Sequence, residues 1–321
     1  MKIIIALGGN ALIKKNEKET YSNLLKNIQN SCKCILKLIK NNKVVITFGN
    51  GPEVGNLLLQ NEISKKHVPE MPLDILNAET EGLIGYLLQE QLGNELRRNK
   101  MKKHIATLIT QTLVSKKDKA FHNPTKFIGP FYTEKQIKNL NFKVKKDSNR
   151  GFRRVVPSPK PIKIIEEKII NKLVEQNYIV IANGGGGIPV ILENNKLNGV
   201  EAVVDKDLSS ACLGNSINAD LFLILTDVDK VYLNYGTKNQ KGLSKLTIEE
   251  AKKYLKEGQF PDGSMGPKIL AGINFLDKPF KKSLKGKTKR KFRGKKLVII
   301  TNIENVDKAL KMKAGTIVTT M

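Results

Sequence analysis

Six short aliphatic runs recur along the chain: "KIIIAL" (2–7), "KVVITF" (43–48), "HIATLIT" (104–110), "YIVIAN" (178–183), "LFLILT" (221–226) and "KLVIIT" (296–301). None alternates strictly between apolar and polar residues, so each predicts a strand buried on both faces. The spacers are helical. In "YSNLLKNIQNSCKCILKLIKNN" the residues Leu24, Leu25, Ile28, Cys32, Ile35, Leu36 and Ile39 form one apolar stripe. "TIEEAKKYLKEG" opens on a threonine cap, carries glutamates in its first turn and stops at Gly258. The expected fold is α/β, with helices on both sides of an open, mostly parallel sheet. At 321 residues, the chain exceeds the roughly 250 to 300 at which single cores stop growing, which predicts two lobes sharing a cleft.

Between Phe121 and Pro161 prolines, glycines and "HNPTKFIGPFY" break the βα rhythm. An excursion from the sheet edge, a small flap at about 120–160, is expected there, since long irregular insertions often serve as lids.

Three strands run directly into glycine clusters: Gly8-Gly9-Asn10, "GNGPEVG" (49–55) and "NGGGGIP" (183–189). Strand ends of open α/β sheets are where ligands bind, and glycine lets the backbone approach an anion closely. One such cluster only makes a tight turn; three together favour a phosphate cradle. Neither the P-loop pattern nor G-x-G-x-x-G occurs.

A phosphoryl group in transfer needs positive charge on its oxygens more than it needs covalent help. Lys206 in "DKD", Lys268 in "GSMGPK" and Lys126 in "NPTKFIGPF" interrupt acidic or Gly/Pro settings. Asp205 or Asp207 can hold the Lys206 ammonium and keep it charged. His67, His104 and His122 lie far apart, with no metal-ligand or triad spacing. No serine elbow or CxxC pair supports hydrolase or redox chemistry.

The net charge of +26 would draw in nucleotides and other anions, and would favour nonspecific nucleic-acid contacts. Ten of the basic residues sit in "KKSLKGKTKRKFRGKK", Lys281 to Lys296, with no acid among them. Such a segment reads as a solvated loop, with a nucleic-acid patch as the alternative. "MKIIIALGGNAL" reads as a first strand, not a signal peptide. No apolar run nears the roughly 18 residues of a membrane helix. Cys32, Cys34 and Cys212 lack disulfide or metal spacing, so free thiols in a cytoplasmic protein are expected.

Taken in order, "IALGGNAL", "VVITFGNGPEVG", "EGLIGYLLQEQLGNEL", "TKFIGPFY", "RRVVPSPKP", "VIANGGGGIPVI", "GVEAVVDKDLSSA", "LILTDVDKVYLNYG" and "FPDGSMGPKI" resemble the carbamate kinases of the amino acid kinase superfamily. The resemblance runs nearly end to end. It implies a three-layer αβα sandwich, usually a homodimer, that transfers phosphate reversibly between ATP and carbamate with Mg²⁺. In fermenting organisms such enzymes commonly make ATP in the arginine deiminase route.

The resemblance also assigns residues. Gly8, Gly9, Asn10, Gly49, Asn50 and Gly51 would hold the carbamoyl phosphate side, in a lobe of residues 1–210. Lys206 and Lys268 would stabilise the transferring group, Asp207 would organise them, and Lys126 would reach in from the flap. Thr226, Asp227, Val228, Tyr232, Gly263, Ser264, Met265 and Lys268 would bind nucleotide, in a lobe of residues 211–321. Asp205 receives no role.

The family's T-H-G-N-G-P-Q-V-G block here carries Phe48 and Glu53, and Phe127 stands where the flap block has proline. Glu53 is expected to face solvent, and Phe127 to loosen the loop around Lys126. Stretch 281–296 is an insertion relative to the family. The competing readings are a sister kinase acting on another small acid or phosphate, and a basic nucleic-acid or surface-binding protein.

Overall fold

The computed structural model describes residues 1–9, 12, 17–138, 140–147, 151–261, 263–278 and 296–320. Asn10 and all of the basic stretch before Lys296 lie outside the described residues. The chain begins with β1 (Lys2–Leu7), α1 (Tyr21–Lys40), β2 (Lys43–Phe48), α2 (Gly51–Ser64), α3 (Leu73–Arg98) and β3 (Ile105–Thr107). Next come β4 (Gln111–Leu113), β5 (Lys126–Tyr132), α4 (Glu134–Ile137), β6 (Val144–Lys146), β7 (Phe152–Val156), β8 (Lys163–Ile164) and α5 (Glu167–Glu175). β9 (Ile179–Ile181), β10 (Ile188–Glu193), β11 (Lys196–Gly199), α6 (Lys206–Ser216) and β12 (Leu221–Thr226) follow. The chain continues through β13 (Val231–Leu233), β14 (Lys241–Leu243), β15 (Lys245–Thr247), α7 (Ile248–Lys256) and α8 (Met265–Asp277). It closes with β16 (Leu297–Asn302), α9 (Val306–Leu310) and β17 (Thr316–Thr319).

Eight strands form one sheet in the order β15-β17-β16-β12-β1-β2-β9-β3, and every neighbouring pair is parallel except β16 with β17. β1 at its centre shows why the aliphatic runs do not alternate. Ile3, Ile5 and Leu7 enter a core with Ile28 and Ile35 of α1 and Ile84 and Leu88 of α3. Ile4 and Ala6 enter the opposite core with Leu213 of α6 and Phe275 of α8. Both faces need apolar side chains because helices cover both, which makes the molecule a three-layer αβα sandwich of the expected class.

The helices start and stop as their end residues direct. Thr20 caps α1, accepting from the Asn23 N–H, and Lys37 and Lys40 stand in its last turn near the carbonyl end. Thr247 and Glu250 form a capping box on α7. The run 104–110 is the least regular of the six, because β3 belongs to the large sheet and β4 follows it into a separate sheet ordered β11-β10-β4-β8.

An antiparallel sheet ordered β5-β7-β6 stands apart from the large one. It lies on α2, where a Cβ added at Gly55 would sit 3.2 Å from the Gly129 backbone. Phe127 pairs with Val155 across β5 and β7, inside the strand and not in a loose loop. Among the described residues no helix is long and apolar enough to cross a membrane. No disulfide joins Cys32, Cys34 or Cys212 to another cysteine.

Candidate active site

Parallel strands end at one edge of a sheet, so the loops after β1, β2, β9 and β12 meet there. The Gly8 N–H donates to the Leu225 carbonyl at 2.8 Å, and Gly49 donates to Leu7 at 3.2 Å. A side chain at Gly8 would place its Cβ 2.6 Å from the Leu225 oxygen, which is why only glycine fits. One at Gly49 would lie 3.8 Å from the Gly9 nitrogen, so the first two glycine turns are neighbours. Asn50 caps the start of α2, with Gly51 as its first residue. Its amide is buried and turned toward α3, donating to Asn77 at 3.2 Å and Thr80 at 2.8 Å.

The third glycine turn rests on α3 as well. Glu81 accepts from the Gly184 N–H at 2.9 Å and from the Thr110 N–H at 3.1 Å and hydroxyl at 2.5 Å. Burial pushes the Glu81 carboxyl up to about 7, with those donors pulling the other way. Gly186 has φ +96°, and a Cβ there would run into the Val204 carbonyl. Asn183 is left-handed at φ 60° and its side-chain oxygen receives the Ser209 hydroxyl at 2.9 Å, tying the turn to α6. Phe48 is fully buried with its ring beneath Gly184.

α6 begins at this edge. Lys206 is its first residue, and its ammonium donates to the Leu7 carbonyl at 3.1 Å and pairs with Asp207 Oδ1 at 3.0 Å. Lys268, on α8, donates to Asp207 Oδ2 at 3.1 Å. Asp207 is 3% exposed, a burial that would raise a lone carboxyl. The Lys206 and Lys268 ammonium groups override that and hold it well below the usual carboxylate range. Burial lowers Lys206, with Asp207 opposing; burial also works against Lys268, but Asp207 raises it overall. Two cations thus share one ionised carboxylate, an arrangement with positive charge to spare for an anion.

Asp205 does what sequence did not assign to it. One oxygen accepts from the N–H groups of Asp207 and Leu208, at 3.0 and 3.3 Å, capping α6. The other accepts from Lys126 Nζ at 3.0 Å, so the lysine on β5 meets α6 beside Lys206. An N-cap could have been read from an aspartate preceding a helical pattern. Its pairing with a residue 79 positions away could not.

Glu53 departs from the expected solvent-facing position. Both its carboxylate oxygens are buried and neither has a partner. Burial pushes its carboxyl up to about 7, its own backbone N–H opposes this, and nearby Glu19 adds to the rise. The Glu53 carboxylate is therefore enclosed, although Gly51 two residues before it is exposed.

Thr226, Asp227, Val228, Tyr232, Ser264, Met265 and Lys268 line one pocket beyond β12. Gly263 directly precedes Ser264 but is not part of the lining. Sequence reasoning missed Lys230, Tyr235, Gln259, Phe260 and Pro261, which complete the wall. The two tyrosines three apart in "VYLNY" were the available signal, and their rings lie 6.0 Å apart. Lys268 belongs both to this pocket and to the Asp207 pair.

Glycine turns at the C-terminal edge of a parallel sheet, two lysines on a buried aspartate and an adjoining pocket describe a phosphotransferase. The Amino acid kinase family model matches residues 1–280, and the chain belongs to that family. Within it the chain stands among the carbamate kinases. It is 46% identical over 325 residues to carbamate kinase of Pyrococcus horikoshii, covering 99% of both chains. It is 42% identical to carbamate kinase of Oenococcus oeni, covering 99% of this chain and 98% of the relative. The solved carbamate kinase from Giardia lamblia bound to AMP-PNP superposes with a TM-score of 0.89 at 39% identity, covering 99% of this chain and 98% of that one.

Proposed function

We propose that the chain moves a phosphoryl group reversibly between ATP and carbamate, and that it runs toward ATP. The carrying observation is Asp207, which joins Lys206 at the Leu7 carbonyl to Lys268 in the pocket after β12. A phosphoryl group passing from one side to the other crosses these two ammonium groups. Gly8, Gly9, Asn10, Gly49, Asn50 and Gly51 take the carbamoyl phosphate side, in residues 1–210. Thr226, Asp227, Val228, Tyr232, Gly263, Ser264 and Met265 take the nucleotide, in residues 211–321.

In the ATP-forming direction a β-phosphate oxygen of ADP attacks phosphorus. The bond from phosphorus to the bridging oxygen breaks, and that oxygen keeps the electron pair as carbamate departs. Lys206, Lys268 and Lys126 face the charge that spreads over the phosphoryl and bridging oxygens, and Asp207 fixes two of them. Carbamoyl phosphate is a mixed anhydride, which favours transfer to ADP and suits arginine fermentation through the deiminase route.

Mg²⁺ would neutralise the nucleotide phosphates. Among the described residues no three His, Cys, Asp or Glu side chains converge, which fits an ion held mainly by phosphates and water. Asp227, expected on the nucleotide side, is the carboxylate of the pocket lining that such an ion would meet. Three exposed apolar residues on α3, Ile75, Leu83 and Tyr86, support a homodimer.

The test is ATP formation from ADP and carbamoyl phosphate by purified protein with Mg²⁺, alongside the reverse reaction. Turnover in both directions, with the larger kcat/KM toward ATP, is expected. Folded protein with no activity in either direction overturns the reading.

A further inference from the structure

We infer that Asp205 is the positioning residue that docks the flap lysine, fixing where Lys126 of the antiparallel β5-β7-β6 sheet meets the start of α6. The inference rests on the proposed function, since it takes Lys126 as one of the cations that meet the phosphoryl group. Its grounds are geometric. Lys126 is the first residue of β5, and among the described residues that strand pairs with β7 of the small sheet and with no strand of the large one. Asp205 is fixed independently, because one of its oxygens holds two N–H groups at the start of α6. The remaining oxygen takes the Lys126 ammonium at 3.0 Å.

Lys206 and Asp207 follow Asp205 directly and form the first turn of α6. Docking on Asp205 therefore delivers Lys126 to the same helix start that carries Lys206. An ammonium has three hydrogens, and the carboxylate uses one of them. The others stay available to an anion, and the side chain of Lys126 is 35% exposed against 13% for Asp205. Part exposure matters: the lysine is close enough to be ordered and open enough to meet substrate. Asp205 thus lowers the ordering cost that carbamoyl phosphate would otherwise bear on binding.

The test uses Asp205→Asn, because asparagine caps a helix about as well as aspartate and keeps an oxygen for the two N–H groups. What it removes is the charge that holds Lys126. Wild-type protein, D205N, K126A and the double variant are assayed with carbamoyl phosphate and ADP, and their melting temperatures are compared. The expected result is a kcat/KM about tenfold lower in D205N, carried mainly by a higher KM for carbamoyl phosphate, with melting unchanged. In the K126A background the same substitution should have no further effect on KM.

A D205N enzyme with wild-type KM overturns the inference, as does one with a lower KM, which would make the contact a brake. A D205N penalty that persists in full without Lys126 also overturns it, since Asp205 would then act on Lys206 or Asp207. Inactive wild-type protein would instead fail the functional reading, so the two failures are distinguishable.

Discussion

At the residue scale, two buried carboxylates show how partners decide charge. Asp207 is surrounded by ammonium groups and stays ionised, whereas the Glu53 oxygens are buried with no partner. For Lys206→Ala, loss of one preorganised cation should lower kcat by roughly 10²- to 10³-fold with the fold intact. Steady-state turnover with circular dichroism checks it, and a near wild-type rate would remove Lys206 from its assigned role. For Glu53 the sign follows from its carboxyl being raised from 4.5 to about 7. A raised folded-state value stabilises the protein fully below the unfolded value, and that contribution is lost as pH rises through 7. Glu53→Gln cannot ionise, so it should be more stable than wild type at pH 8 by roughly 3 kcal/mol and show no such gain at pH 4. Urea unfolding at the two pH values measures the difference. Equal stability changes at both would mean that Glu53 does not ionise on this scale.

At the element scale, what could be read from sequence depended on whether an element's burial follows one period. The strands 2–7, 43–48 and 221–226 coincide with β1, β2 and β12, because uniformly apolar runs of that length leave little choice. α1 was readable from its stripe, although Leu38 is buried where Leu25 and Leu36 are only partly so. α3 resisted periodicity. Its buried face carries Asn77, Thr80 and Glu81, polar residues that hold Asn50 and the Gly184 turn, so the stripe of Leu73, Leu76, Ile84, Leu88, Leu92 and Leu96 is broken midway, while Leu83 and Tyr86 put apolar side chains on the exposed side. The same physics hid the position of Glu53, since a glutamate in a helix's first turn normally faces water and favours the positive dipole end. Of the candidate site, the glycine turns and acid-flanked lysine were visible locally. The Asp205–Lys126 contact and the aromatic wall at Tyr235 and Phe260 depend on segments brought together only by the fold.

For the whole molecule, parallel pairing gathers the glycine turns after β1, β2 and β9 on one edge and leaves the outer helices to meet solvent or another subunit. α3 presents Ile75, Leu83 and Tyr86 at 42%, 47% and 60% exposure, in a protein where the net charge of +26 would otherwise keep copies apart. Leu83 and Tyr86 are three apart and Ile75 is eight before Leu83, so all three stand on one side of the helix. Large apolar side chains repeated along one outer face mark a contact surface, and a twofold dimer would set the same face of each copy against the other. In the proposed dimer, a lysine there would add a cation to both halves of a contact between two basic molecules. Leu83→Lys should therefore elute as a monomer under conditions where wild type elutes as a dimer, with its mass measured by light scattering. Because residue 83 is absent from the catalytic edge, monomeric protein should keep measurable phosphoryl transfer. A Leu83→Lys protein that remains dimeric at the same concentration would move the interface off this face of α3.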